Sequence, residues 1–511
     1  MIVYIIFIFF LCFFTLYYVK SLHNEGVNKW VIPFAFCLKV SAGFIFIYIY
    51  SEIYGEGDLS GDAGDFMYES KILNNVFYES PIDYLKFIFG FDDLHATNHY
   101  LQEAKHWGAG DQAIINDNRN ILKFHSILHF LSFGKASIHM IIMCFLSTIG
   151  LIQLVKGIKH FTKLKPVFTF LTFLLLPSLL FWGSGLLKEP FIIIGIGLFV
   201  RGVFYLGGTL KKTLLITLGV IFFIGFKPYI LLCLIPSIGF YQLFKLLPRF
   251  KIIGSLVILS GTLTLLIFAF PMKTNFIIQL LSRKQYDFKN IGKGGVYMEH
   301  GENFYYILPE KFDQLLISET EVSKLQNITP DIMAQVNEGK FIALKDTVHV
   351  TIINHGGFEE PFDTLLAPEK RHTISYINYK SEGLIDVTLI NNSGLQLIRN
   401  SGEALVNTLF RPFPTDSGGK LIIQSLIEIW GIYIILIFAF VCRRRLTVNE
   451  KGIMISTILF ILSLSLLIGW VTPVLGAIVR YKFPVLMAIL FISLIIYKVP
   501  KGLSETREPL I

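Results

Sequence analysis

Residues 57–69 read Gly57-Asp58-Leu59-Ser60-Gly61-Asp62-Ala63-Gly64-Asp65-Phe66-Met67-Tyr68-Glu69. They put four carboxylates into thirteen residues, just after 30–50, an apolar run long enough to cross a bilayer. The reading of this junction decides the fold. If 30–50 spans a membrane, the acidic stretch lies at a membrane surface, and the remaining polar residues divide between two sides.

Composition supports the membrane reading. Of 511 residues 53% are hydrophobic and only 16% charged, and Phe alone occurs 48 times. The mean hydropathy is +0.60. A soluble chain of this size has no interior large enough for so much apolar surface, so the chain reads as a polytopic membrane protein. The net charge of +8 is not a nucleic-acid signature. Lys and Arg gather in the cytoplasmic loops of membrane proteins, which alone gives a basic balance. Cys12, Cys37, Cys144, Cys233 and Cys442 all fall in or beside apolar runs, which leaves neither a disulfide framework nor zinc spacing. The first run, Ile2–Val19, lacks a basic region before it and a small-residue cleavage site after it, and reads as a retained helix.

Runs of spanning length occur near 2–19, 30–50, 136–155, 167–183, 190–208, 213–226, 229–247, 252–271, 421–442, 453–472 and 481–498. The expected fold is an all-α polytopic bundle of about eleven transmembrane helices. Alternate loops are basic: Lys20 and Lys29, then Lys156 to Lys165, Lys211 and Lys212, Lys245 to Lys251, Arg443 to Lys451, and Lys498 with Lys501. The positive-inside rule puts these in the cytoplasm, with the N-terminus outside and the C-terminus inside. Three regions follow: a membrane region 1–271 with a first outer loop at 51–135, an extracytoplasmic subdomain of mixed short helices and strands at 272–420, and a membrane region 421–511. Strands are expected at Lys345–Ile353 and Leu384–Ile390. Ile82–Phe89 is amphipathic, which suits a helix lying in the outer interface and equally one packed on the loop's own core.

Four cations sit against the charge bias, at outer helix ends and each near a proline: Lys188 before Glu189-Pro190, Lys227 before Pro228, Arg411 before Pro412, and Arg480 in Arg480-Tyr481-Lys482-Phe483-Pro484. Charge beside hydrocarbon needs an anionic partner, and a phosphate suits both the Arg fork and the Lys point charge. Snorkelling to headgroups, or for Lys188 a pair with Glu189, accounts for the same residues. In the acidic stretch, Asp62 or Asp65 can take a proton from a hydroxyl nucleophile. Gly and Asp are also turn formers, so a solvated turn fits the same letters. A divalent metal would fit there without being required. The glycine spacing is wrong for an EF-hand. His95 and His99 share i, i+4 spacing, with His106 further on, but no Glu follows the first as zinc-protease chemistry needs. Asn118-Arg119-Asn120 reads as loop. Sequons stand at Asn327 and Asn391.

Gly61-Asp62-Ala63-Gly64-Asp65-Phe66-Met67-Tyr68 resembles the first-outer-loop motif of GT-C-type integral membrane glycosyltransferases. Arg480-Tyr481-Lys482-Phe483-Pro484 looks like the Arg-Tyr-x-x-Pro near the end of many such chains, and Pro177–Pro190 is similar to a motif in related bacterial envelope proteins. The resemblance implies sugar transfer from a polyprenyl-phosphate carrier to a saccharide or glycoconjugate acceptor at the outer face of the cytoplasmic membrane. Asp62 would be the base or acceptor ligand, with Asp65 as its backup, and Lys188, Arg411, Arg480 and Lys227 would neutralise the carrier phosphate. The chain departs from the pattern in two ways. Its acidic loop follows the second helix instead of the first, and its large loop lies mid-chain instead of at the C-terminus. A transporter or flippase of lipid-linked oligosaccharide and a noncatalytic assembly scaffold are the other readings. The first would line a midplane path with polar groups.

Overall fold

The computed structural model describes residues 1–24, 26–55, 57–91, 94–101, 104–107, 116–247, 251–293, 347, 381, 383–417, 419, 421–500 and 502–504, with seven short strands between 295 and 378. The chain is predominantly helical. Among the described residues, seven helices are long and apolar enough to span a membrane, or nine if two bent pairs each count as one span. The eleven runs in the sequence shrink for local reasons. The helix Ile2–Tyr18 (α1) is only 17 residues long. The run 167–183 is broken at Pro177, which bends Pro166–Leu174 against Pro177–Ser184 by 78°. The run 190–208 gives only Glu189–Val203, which ends at its C-cap Phe204. Leu475–Tyr481 and Phe483–Ile496 bend by 47° around Lys482.

Two compact units emerge, Met1–Ile238 with Trp430–Phe460 and Leu486–Ile511, and Gly239–Ile429 with Ile461–Val485. In the first, α1 is followed by α2 (Val31–Tyr48, carried on by a π-turn to Ile53), α3 (Gly61–Glu79), α4 (Pro81–Phe89), α5 (Leu94–Tyr100), α6 (Asp117–Ser132), α7 (Ala136–Ile158), α8 (Pro166–Leu174), α9 (Pro177–Phe181), α10 (Glu189–Val203), α11 (Thr209–Phe226) and α12 (Pro228–Leu246). The core is α7, 78% buried over its spanning window, with α10 packed on it and α11 packed on α10. Small residues let α7 and α10 touch backbone to backbone. A methyl group at Gly197 would overlap the Gly150 carbonyl oxygen and lie 2.8 Å from its carbon.

The acidic stretch is helical where a loop was expected. α3 begins at Gly61, so Asp62, Asp65 and Glu69 lie at i, i+3 and i+7 on one helical stripe. Gly64 is required there, because a side chain would overlap the Leu59 carbonyl oxygen. Ser80 caps the next helix: its Oγ accepts from Asp83 N at 3.4 Å and donates to Asp83 Oδ2 at 2.8 Å. Residues 81–89 form a helix that packs one face on the loop's own core. Tyr84 and Phe87 of α4 pack inward, against Phe130 and Trp107, while Ile82, Leu85 and Phe89 stay exposed.

The second unit carries α13 (Lys251–Ala269) and the amphipathic α14 (Pro271–Lys293), a 23-residue helix in a region expected to hold short elements. Its strands form antiparallel ladders. β1 (Gly295–Met298) pairs with β7 (Ser375–Asn378), and β2 (Phe304–Tyr306) with β4 (Phe341–Ala343). β3 (Gln314–Ile317), β5 (Val348–Ile353) and β6 (Phe362–Leu366) form a sheet in the order β3-β5-β6. The strand expected at 345–353 is β5. The one expected at 384–390 is not a strand, because side-chain amides take its backbone groups. Gln285 donates to Thr388 O at 3.1 Å and accepts from Ile390 N at 2.9 Å, and Asn400 donates to Thr388 O at 2.9 Å. Asn327 lies outside the described residues. Asn391 sits in a left-handed turn, φ 50°.

Candidate functional site

The site is built where α6, α10 and α11 end near α3. Asn116 caps α6, its Oδ1 accepting from Asn118 N at 3.0 Å and Arg119 N at 3.2 Å. That cap turns 117–120 from loop into the first turn of a helix and points four polar side chains at their partners. Lys188, at the start of α10, is buried. Its Nζ donates to Asp117 Oδ2 and Asn118 Oδ1, both at 2.6 Å, and lies 5.7 Å from the centre of the Phe66 ring. Arg119 donates to Trp107 O at 3.2 Å and stacks 5.1 Å over that indole. Asn120 donates to Gly225 O at 2.8 Å, which ties α6 to the end of α11.

One residue beyond, Lys227 lies 3.5 Å from Glu189 Oε1. Glu189 is fully buried and Lys227 nearly so. The Lys188–Glu189 neighbours thus do not pair with each other. Lys188 turns to α6 and Glu189 to the α11–α12 corner. A partner was required for these cations, and the chain supplies carboxylates for both. Only Asp117, 40% exposed, leaves its pair open to the surroundings.

Across the Phe66 ring from Lys188 stands a third pair. Glu69 is 2% exposed, and its Oε1 lies 2.7 Å from His106 Nδ1 while its Oε2 accepts from His106 N at 3.1 Å. The His106 ring packs 5.5 Å from Phe66, so Phe66 separates this pair from the Lys188–Asp117 pair. The stripe on α3 therefore runs from exposed Asp62 through half-buried Asp65 to buried Glu69. A carboxylate fixed on an imidazole is an acid/base arrangement, and the neighbouring ammonium can stabilise developing negative charge. The three histidines of the loop do not cluster: His95 and His99 stay exposed on α5. Among the described residues no three His, Cys, Asp or Glu side chains are placed to hold a metal ion.

Behind α3 lies a group of histidines from α6 and α7. His129 bonds Ser70 Oγ at 3.0 Å, His139 Nδ1 lies 2.9 Å from His125 Nδ1, and Ser132 Oγ lies 2.6 Å from His139 Nε2. Loss of hydration pulls His125 down to about 3 and His129 down to about 4. Lys39 stands in the middle of α2. It is fully buried and donates to Leu179 O at 2.9 Å, in the bent segment α8–α9. A lone Lys inside an apolar run is a signal the sequence did offer.

Arg411 and Arg480 belong to the second unit. Arg411 donates to Asn407 Oδ1 at 2.9 Å and pairs with Asp416 at 2.5 Å. Asp416 also accepts from Phe413 N at 2.7 Å. Arg480 is half-buried and 5.9 Å over the Tyr481 ring. Lys482, from the same motif, is buried and donates to the Arg411 carbonyl. No family model, curated protein or solved structure matches the chain.

Proposed function

We propose that the chain transfers a sugar from a polyprenyl-phosphate-linked donor to a saccharide or glycoconjugate acceptor, at the outer face of the cytoplasmic membrane. The reading rests on one observation: an acidic helical stripe, Asp62-Asp65-Glu69, descends onto a His106 imidazole beside the buried Lys188 ammonium. Asp62 or Asp65, near solvent, takes the proton of the acceptor hydroxyl, and the Glu69–His106 pair holds the stripe and relays charge. Lys188, reachable past Asp117, meets the carrier phosphate as it departs. Arg411 and Arg480 retain the role of phosphate ligands in this reading, with Lys227 as a positioning residue through Glu189. In the same proposal α1, α10 and the two bent pairs complete eleven spans, the N-terminus lies outside, and 272–420 forms the extracytoplasmic acceptor region. The exposed face of α4 lies in the headgroup layer.

The test is accumulation of lipid-linked saccharide in cells carrying Asp62→Asn, Glu69→Gln or Arg480→Ala, each checked for normal membrane levels. Normal polymer in all three removes the enzyme reading. A transporter of the same lipid-linked substrate has one observation in its favour, the broken segment 166–184 with Lys39 against it. Donor flipping in proteoliposomes without acceptor would select it.

A further inference from the structure

α14 has two faces, and among the described residues the chain covers one of them. At 3.6 residues per turn, Ile278, Ser282 and Gln285 share a side. That side is docked on the segment 388–394. Ser282 Oγ accepts from Asn392 N at 3.0 Å, Gln285 bonds Thr388 O and Ile390 N, and Ile278 packs against Gly394. The other side carries Met272, Phe276, Ile277 and Leu280, which are between 47% and 84% exposed. Lys273, Arg283 and Lys284 stand among them, all exposed. These positions fall within about 140° of arc.

A run of large exposed apolar side chains marks a contact surface, and the helix before it says with what. α13 runs directly into α14, with only Phe270 between them. The spanning window of α13 is 6% buried inside the protein, and a helix this apolar and this bare faces hydrocarbon. Its 19 residues rise about 28 Å at about 1.5 Å each, close to the roughly 30 Å of the hydrocarbon core. α14 therefore starts at the level of the headgroups. An apolar helix face at that level lies in the boundary between headgroups and acyl chains, with basic side chains reaching the phosphates. The three cations suit that place. Lys188 and Arg411 have their anions inside the chain. Among the described residues, Lys273, Arg283 and Lys284 have neither an ion pair nor a side-chain hydrogen bond. An anionic lipid supplies the missing charge.

We infer that the exposed face of α14 is a docking surface for the anionic headgroup layer of the bilayer that α13 crosses. Met272, Phe276, Ile277 and Leu280 enter the acyl boundary, and Lys273, Arg283 and Lys284 contact lipid phosphates. The segment 388–394, bound to the opposite face, is thereby held at the membrane surface. The same contacts form at either leaflet and do not depend on sugar transfer.

The full chain in nanodiscs tests this, with a photoreactive benzoylphenylalanine in place of Phe276, Ile277 or Ile278, one at a time. The discs hold phosphatidylcholine and phosphatidylglycerol in equal amounts. Irradiation and mass spectrometry identify what each position has joined. The replacements of Phe276 and Ile277 should take lipid, and that of Ile278 should take residues of 388–394. Phosphatidylglycerol should exceed its share of the lipid adducts, by up to about fivefold per engaged cation. Lys273→Gln with Arg283→Gln and Lys284→Gln should return the adducts to the composition of the disc. Lys212→Gln with Lys451→Gln and Lys498→Gln removes the same charge from the other compact unit and should leave the excess unchanged. Joining to a second copy of the chain or to another polypeptide overturns the surface. So does an absence of adducts on the exposed face while the Ile278 replacement reacts. Lipid adducts without an excess, or an excess lost equally in both triple variants, overturn it as well. Hydrogen–deuterium exchange gives a second reading without any substitution. Amides of 272–281 should exchange several-fold more slowly in phosphatidylglycerol than in phosphatidylcholine, and equal rates count against the surface.

Discussion

Gly197→Ala is the sharpest test of how the helix core is built, because α10 carries Glu189 at its start. The added methyl would meet only backbone: it overlaps the Gly150 carbonyl oxygen and stands 2.8 Å from the carbonyl carbon and 3.1 Å from Cα. Ordinary contact begins near 3.4 Å, so the carbon alone asks for a shift of more than half an ångström, and the oxygen asks for more. No rotamer can relieve a clash between two main chains, so α7 and α10 must separate. Overpacking of this kind costs about 1–3 kcal/mol, with the upper end expected here. Against it stands the helix-propensity gain of about 1 kcal/mol for Gly to Ala. The net is a loss of about 1–2 kcal/mol. Gly261→Ala on α13, with nothing within 4 Å of the added methyl, carries the gain alone and should stabilise. Thermal unfolding of both variants in detergent, followed by circular dichroism, reads the difference in sign. A Gly197→Ala protein as stable as Gly261→Ala would refute backbone contact between α7 and α10.

Acid should destabilise the first unit through its histidines. His125 and His129 have folded values below the usual 6.5, so the stability they add is whole above about pH 6.5. It is lost as pH falls toward about 4, at roughly 1.4 kcal/mol per pH unit for each group. Unfolding midpoints measured from pH 7.5 to 4.5 should fall steeply in the wild type and less steeply in His129→Gln; parallel curves would count against it. Glu189→Gln should cost about 3–5 kcal/mol by stranding the Lys227 charge, and Glu189→Gln with Lys227→Met should recover most of it in the same unfolding assay. A double-mutant cycle on Lys188→Ala and Asp117→Ala should give a coupling of about 1–3 kcal/mol, since Lys188 is buried. No coupling would mean that the pair does not form.

Much of this was legible in the letters. Hydrocarbon length and hydropathy alone locate the apolar runs, because a helix in lipid satisfies its own backbone and needs no partner to be recognised. The same logic marks Lys188, Lys227, Arg411 and Arg480 as charges in need of an anion. Which anion it is depends on residues far along the chain for two of them, Asp117 for Lys188 and Glu189 for Lys227, while Arg411 finds Asp416 only five residues on. Lys188 stands next to Glu189 in sequence, yet the two point to different partners because they straddle the start of a helix.

Two misreadings share one cause. The Gly-Asp stretch and Asn118-Arg119-Asn120 look like loop by composition, but a helix start is made by a cap and by packing. Asn116 caps α6 with its side chain, Ser60 precedes α3 with its hydroxyl bonded to Tyr50 O instead, and the buried Phe66, Leu73, Ile121 and Leu122 hold those helices in place. Sequence by itself determined that the chain is apolar, helical and polarised in charge, since those properties add up residue by residue along one segment. Only the tertiary structure decided that Glu69 meets His106 and that Gln285 of α14 takes the backbone of Thr388 and Ile390. Such meetings depend on where separate helices end, and periodicity within any one of them carries no record of that.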